Sequence, residues 1–220
     1  MVALAGNPNA GKTTLFNSLT GLRQKVANYP GVTVERKEGV WPLSPELLPA
    51  RLIDLPGLYS LDATSIDEQI ARNVITGRMA GLPAPDVIIA VVDATNLERN
   101  LYLVAQLLEY GRPLIVALTM TDLAARRKLL IDAGELSAAL GVQVVALVAS
   151  QKVGIDELAK AVLRAAERSG AGAGWRLPEL AERELAALVS SHGNGLERYA
   201  ALHELFGEEL PEDEKRREVV

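Results

Sequence analysis

The first fourteen residues, MVALAGNPNAGKTT, constrain this chain more than any others. Residues 2–5 form a short apolar run, too short for a helix and suited to a buried strand. Gly6 to Thr13 then matches G-x-x-x-x-G-K-[ST] with nothing left over, and residues 14–22 read as a helix. Strand, glycine loop and helix in that order distinguish a phosphate cradle from an ordinary turn. Gly6 and Gly11 let the backbone turn and approach anionic oxygens without a Cβ in the way. The expected contact runs through Asn7, Pro8, Asn9 and Ala10 to Lys12, Thr13 and Thr14, where loop and helix N–H groups converge on phosphate. Lys12 supplies a mobile charge for the β- and γ-phosphates, and the Thr13 hydroxyl can ligate Mg²⁺. The sequence therefore predicts a nucleotide site.

Bulk properties narrow the remaining classes. A chain of 220 residues accommodates one α/β domain and a small appendage. The net charge of −5 gives no overall basic field, so no nucleic-acid partner is expected. Cysteine is absent, which excludes disulfides and thiolate metal sites. No apolar run approaches the roughly 18 residues needed to span a bilayer, and the start lacks a signal-peptide pattern. The expectation is a soluble chain.

Along the sequence, strand-like and helix-like segments alternate. Residues 23–31 are polar and loop-like, and the 32–40 stretch alternates as a half-exposed strand. Residues 51–54, 86–93, 113–119 and 142–148 read as strands. Residues 66–79, 97–110 and 155–168 read as helices, with 124–140 mostly helical and broken near 132–134. This order predicts an α/β fold, doubly wound, with a mostly parallel sheet and one antiparallel hairpin around residues 32–54. The nucleotide-binding domain is placed at 1–168, a Gly/Ala linker at 169–177 and a small helical subdomain at 178–220. Within the last, 178–189 and 196–206 have amphipathic helical spacing.

Further candidate residues fall at strand ends, where open α/β sheets bind ligands. Asp54-Leu-Pro-Gly57 closes one strand; Asp54 can hold Mg²⁺ through water and the Gly57 N–H can sense a γ-phosphate. Thr33, in the loop after the first helix, can complete Mg²⁺ coordination when γ-phosphate is present. Thr119-Met120-Thr-Asp122 ends another strand. A carboxylate at Asp122 can accept two hydrogen bonds from the guanine N1–H and 2-amino edge, which adenine does not offer; it would also serve as a helix cap.

With these stretches in order the sequence resembles a small GTPase. GNPNAGKTTLFN, NYPGVTVE, DLPGLYSL and VASQKVGIDEL are similar to the cytosolic G domain of the FeoB ferrous-iron transport family, over residues 1 to about 168. The resemblance implies a P-loop GTPase G domain that binds GTP and GDP with Mg²⁺ and works as a switch. It implies regulation of ferrous-iron uptake through a membrane-spanning permease region of the same protein, at the cytoplasmic face of the bacterial inner membrane. On that footing the chain is a soluble fragment of something longer. Asn9 falls where potassium-activated GTPases coordinate K⁺, and the backbone of the loop from Asn28 to Gly31 would complete that site, with Gly31, Val32 and Thr33 implied as nucleotide-binding residues. Lys12, Asn9, Thr33 and Gly57 are the expected catalytic set.

Leu58 occupies the place where Ras-like enzymes keep a water-orienting Gln, which implies slow hydrolysis. Two departures bear on guanine affinity. The base-reading box begins with Thr119 where the family has Asn, and Ala149-Ser150 match the base-supporting loop loosely. Iron is not expected to bind, since His192 and His203 would lie about 16 Å apart even along one helix. Two other classes fit parts of the pattern, a free-standing ribosome-assembly GTPase and a non-hydrolysing nucleotide sensor. The oligomeric state is left open.

Overall fold

The computed structural model of the chain describes residues 1–44, 49–62, 65–167, 179–191 and 201. A seven-stranded sheet in the order β2-β3-β4-β1-β5-β6-β7 organises it. Its strands are β1 (Val2–Gly6), β2 (Gln24–Asn28), β3 (Glu35–Trp41), β4 (Ala50–Asp54), β5 (Val87–Asp93), β6 (Leu114–Thr119) and β7 (Gln143–Ala146). The five from β4 to β7 are parallel, while β3 runs antiparallel to both β2 and β4. The chain leaves β1 for β4 on one side and returns to β5 on the other. That reversal makes the C-terminal end of β1 a ligand crevice.

Alternation along the strands feeds two apolar layers, so both faces of the sheet are covered. On one face Ala3, Ile53, Ile88 and Val116 pack with α2 (Ile66–Ile75) and α3 (Leu97–Glu109). On the other Leu4, Leu52, Ile89 and Ile115 pack with α1 (Lys12–Thr20) and α6 (Ile155–Ala166). The α3 stripe Leu103, Val104, Leu107 and Leu108 has the i, i+1, i+4, i+5 spacing of a core-facing helix, each side chain contributing about 1.5–3 kcal/mol by burial. Ser65 and Glu68 form a reciprocal capping box that fixes where α2 begins. This is the doubly wound α/β fold that the alternation of segments predicts.

Three local expectations change. Residues 23–31 hold β2 rather than a loop; its five residues are exposed and owe their geometry to pairing with β3. The helical stretch at 124–140 divides earlier, into α4 (Thr121–Arg126) and α5 (Ala133–Leu140). The Asp132 side chain accepts from the N–H groups of Gly134 and Glu135 at 2.7 and 3.0 Å, which starts α5 instead of breaking a helix. The helix at 66–79 stops at Ile75, before the left-handed Gly77.

Past α6, α7 (Glu179–Ser191) is present with Leu185 buried. The expected linker at 169–177, His192, His203 and, Ala201 apart, the 196–206 helix lie outside the described residues. Among the described residues no helix is long and apolar enough to cross a membrane.

Candidate nucleotide-binding site

The loop from Gly6 to Lys12 connects β1 to α1 at the crevice. Gly6 is required by the neighbouring strand rather than by an anion: a Cβ there would stand 2.6 Å from the Val91 carbonyl of β5. Gly11 sits at φ 88°, a left-handed conformation, and precedes α1 without any side-chain cap. The first N–H groups of α1 are therefore open to an anion. Pro8, Asn9 and Ala10 form the bend between them, Asn9 itself left-handed at φ 66°. Asn7 is buried beneath it and its Nδ2 donates to the Arg99 carbonyl at 3.4 Å.

Two cavities meet at Lys12 and Thr13. One, of about 290 Å³, is lined among others by Lys12, Thr13, Lys37, Asp54, Gly57 and Asp67. Asp54 ends β4, is buried, and its Oδ1 has no hydrogen-bond partner among the described residues. Burial pushes its carboxyl above the usual range, against the pull of Lys12 and Lys37. Burial likewise holds the Lys12 ammonium below its ordinary value, an effect that Asp54 opposes and Lys37 reinforces. Burial disfavours the charged form of both groups, a pattern common at functional sites. The hard orphan oxygen of Asp54 in one cavity with the Thr13 hydroxyl fits a Mg²⁺ ion.

Gly57 packs against the phosphate loop, where an added Cβ would meet Pro8 Cγ at 3.1 Å. Leu58 is 1% exposed, and its N–H donates to the Gly6 carbonyl at 3.3 Å. Its side chain points into the core beside Ile53 and Leu55 and orients no water.

The second cavity, of about 300 Å³, is lined by Asn9, Gly11, Lys12, Thr13, Thr14 and Met120. Met120 takes a left-handed turn, φ 56°, between β6 and α4. Thr119 is buried, its hydroxyl 2.7 Å from the Ala10 carbonyl and 3.0 Å from that of Val92. Asp122 is partly exposed and faces Arg126 at 3.6 Å. Ala149 is buried, its carbonyl accepting from Ser18 of α1 at 2.6 Å, while Ser150 is exposed.

Gly31, Val32 and Thr33 lie in the turn between β2 and β3. Gly31 and Thr33 are exposed, and the 290 Å³ cavity takes its neighbouring lining from Val34 and Glu35, not from Thr33. The structure thus brings Lys12, Thr13, Asp54 and Gly57 together and leaves Thr33 apart. The turn is anchored all the same. Tyr29 is 1% exposed, packs in the core with Leu55 and Leu58, and donates its hydroxyl to the Asp54 carbonyl at 3.5 Å.

Sequence reasoning missed Tyr29 as an anchor and Lys37 and Asp67 as lining residues. Lys37 had a legible signal: it sits in an alternating strand, and its pairing opposite Asp54 aims it at the site. Arg99, whose guanidinium carbon lies 4.0 Å from the Tyr59 ring centroid, had none, because Tyr59 is 40 residues away in the chain and lies outside its helix.

The family model described as ferrous iron transport protein B matches residues 1–162. The Fe(2+) transporter FeoB of Salmonella typhimurium is 52% identical over 167 residues, which are 74% of this chain and 21% of that protein. The chain thus spans about a fifth of that relative's length. The cytosolic domain of the T. maritima FeoB iron transporter in its GMPPNP form superposes with a TM-score of 0.82 at 40% identity, covering 93% of this chain and 80% of that one. Its GDP form I gives the same TM-score and identity, with coverages of 93% and 79%.

Proposed function

Since this chain belongs to the ferrous iron transport protein B family, at its N-terminal G domain, we propose that it is a GTP-binding switch that hydrolyses GTP slowly. The observation that carries the reading is the charged cavity around Lys12, Thr13, Asp54 and Gly57, contiguous through Lys12 and Thr13 with a second cavity that reaches Met120. The first has the donors and cations for a terminal phosphate, and the second leads to Met120, which joins β6 to the helix that carries Asp122. Relatives solved in GMPPNP and GDP forms support guanine nucleotide as the ligand.

Lys12 and the open amides of α1 bind the phosphate chain, and Thr13 with Asp54 would hold Mg²⁺. That ion would neutralise charge on the β- and γ-phosphate oxygens. Gly57 presents its N–H to the terminal phosphate, which makes the 54–58 segment responsive to its presence. Buried Leu58 supports a slow rate, because no side chain at that position orients the attacking water. Asn9 is exposed on the phosphate loop and lines the second cavity, where its amide oxygen would suit K⁺. The output of the switch is regulation of ferrous-iron uptake through a membrane-spanning region of the same protein, at the cytoplasmic face of the inner membrane.

Calorimetric titration with GDP, GMPPNP and an ATP analogue in Mg²⁺ tests the binding, and single-turnover phosphate release tests the chemistry. Binding of guanine but not adenine nucleotides with measurable release is the expected result. Equal affinity for the ATP analogue would remove the guanine reading. Binding without release would leave a nucleotide sensor, which buried Leu58 also suits.

A further inference from the structure

The segment from Gly57 to Tyr59 separates two cavities. Gly57 faces the 290 Å³ phosphate cavity. Tyr59 lines another, of about 200 Å³, on the α3 side, together with Asn7, Asp93 and Arg99. Gly57 stacks on Pro8 and Leu58 is held by its buried side chain and its bond to Gly6. Tyr59 is 43% exposed, so the core does not fix it. What holds its ring is Arg99, whose guanidinium carbon lies 4.0 Å from the ring centroid. The same residue's backbone carbonyl receives Asn7 of the phosphate loop. Arg99 therefore touches the phosphate loop with its main chain and the 57–59 segment with its side chain.

We infer that Arg99 is a positioning residue for Gly57, clamping Tyr59 so that the 57–59 segment stays docked against the phosphate loop. The inference rests on the reading of the site as a GTP switch, because it makes the clamp matter to the terminal phosphate alone. In that reading the group that meets Gly57 is the terminal phosphate, which GDP lacks. Loss of the clamp removes one of the contacts that dock the segment and raises the population in which it is displaced, and the triphosphate must then recover the docked form at the expense of its own affinity. A cation–π contact at an exposed site supports a change of about threefold.

The experiment compares GDP and GMPPNP affinities of the chain with those of Arg99→Gln, Tyr59→Ala, Tyr59→Phe and the Arg99→Gln/Tyr59→Ala double variant. The GMPPNP-to-GDP preference should fall about threefold in both disruptive singles, with GDP affinity unchanged. It should survive in Tyr59→Phe, which keeps the ring face, and the double variant should be no worse than either single. Additive losses, or a Tyr59→Phe variant as weak as Tyr59→Ala, would overturn the clamp. Amide exchange at 58–61 in the nucleotide-free protein gives a readout independent of ligand. It should rise about threefold in Arg99→Gln, and unchanged exchange there also overturns the proposal. Should the wild type bind neither nucleotide, the switch reading falls, and the exchange measurement still decides the clamp.

Discussion

The hydroxyl of Thr119, at the end of β6, reaches the carbonyl of Ala10 in the phosphate loop at 2.7 Å, across 109 positions of sequence. This contact ties the strand that leads to Asp122 to the loop proposed to bind the phosphates. It is buried, with the Val92 carbonyl 3.0 Å from the same oxygen, so the single hydroxyl proton serves one of two acceptors at a time. Thr119→Val should weaken GDP binding by about two- to tenfold, in line with the 0.5–1.5 kcal/mol of a typical hydrogen bond. Thr119→Asn keeps a donor for Ala10 and adds a second N–H, and should tighten GDP binding by up to about tenfold. Calorimetry on both checks the pair; an unchanged affinity in Thr119→Asn would show that threonine already does all that the box requires.

Discrimination between bases should rest on Asp122. Its carboxylate is partly exposed and pairs only loosely with Arg126, at 3.6 Å on one helix face, so a base edge can displace that contact. Asp122→Ala should weaken GDP binding and erode the preference over ADP, because no acceptor is then left unpaired by adenine. Competition binding measures the preference, and a ratio that stays fixed would move base reading elsewhere.

Asp54→Asn should stabilise the nucleotide-free protein while impairing Mg²⁺-dependent binding. Burial raises the folded-state pKa of Asp54, so the folded protein binds its proton more tightly than the unfolded chain does. Stability from this group is therefore present at low pH and is lost as pH rises through the raised value. At neutral pH the buried carboxylate is a cost, and removing its charge should raise Tm by about 2–4 °C for each kcal/mol recovered in a chain of this size. The gap between variant and wild type should close as pH falls and Asp54 takes up its proton. Thermal melts across pH decide; a gap that widens in acid contradicts the assignment.

Turnover should depend on potassium. Leu58 is buried and the phosphate loop, residues 6–13, contains no arginine, so an ion at Asn9 would supply the fixed positive charge, beyond that of Lys12, that an arginine finger gives elsewhere. Phosphate release in K⁺ should exceed that in Na⁺ at matched ionic strength, and Asn9→Ala should flatten the difference. Equal rates for the wild type would dispose of the idea.

The turn bearing Thr33 should respond to nucleotide over a short span. Tyr29 is fully buried and β2 is paired along its length, so residues 24–29 have anchors in either state. The exposed residues around Gly31 and Thr33 have none of that kind and should gain amide protection with GMPPNP relative to GDP. Hydrogen exchange resolves the segment; identical protection in both states would argue against a switch at this loop.

The sequence by itself determined the doubly wound order of elements, and it marked the glycine loop, the D-x-x-G turn and the Thr119–Asp122 stretch as candidate site segments. These are short-range signals: a glycine between strand and helix, or a carboxylate at a strand end, constrains the backbone within a few residues. Strand β2 escaped because its composition is that of an exposed loop, and only pairing with β3 gives it extended geometry. Gly6 was legible as a glycine but not for its reason, which is the Val91 carbonyl of a strand 85 residues away. The Thr119–Ala10 tie and the Arg99–Tyr59 contact were beyond reach for the same cause. Each joins elements that become neighbours only once the sheet order and the helix on its face are set. Which residues can carry the chemistry is a property of side chains, written locally in the chain. Which of them meet, and what holds them there, is decided by tertiary packing.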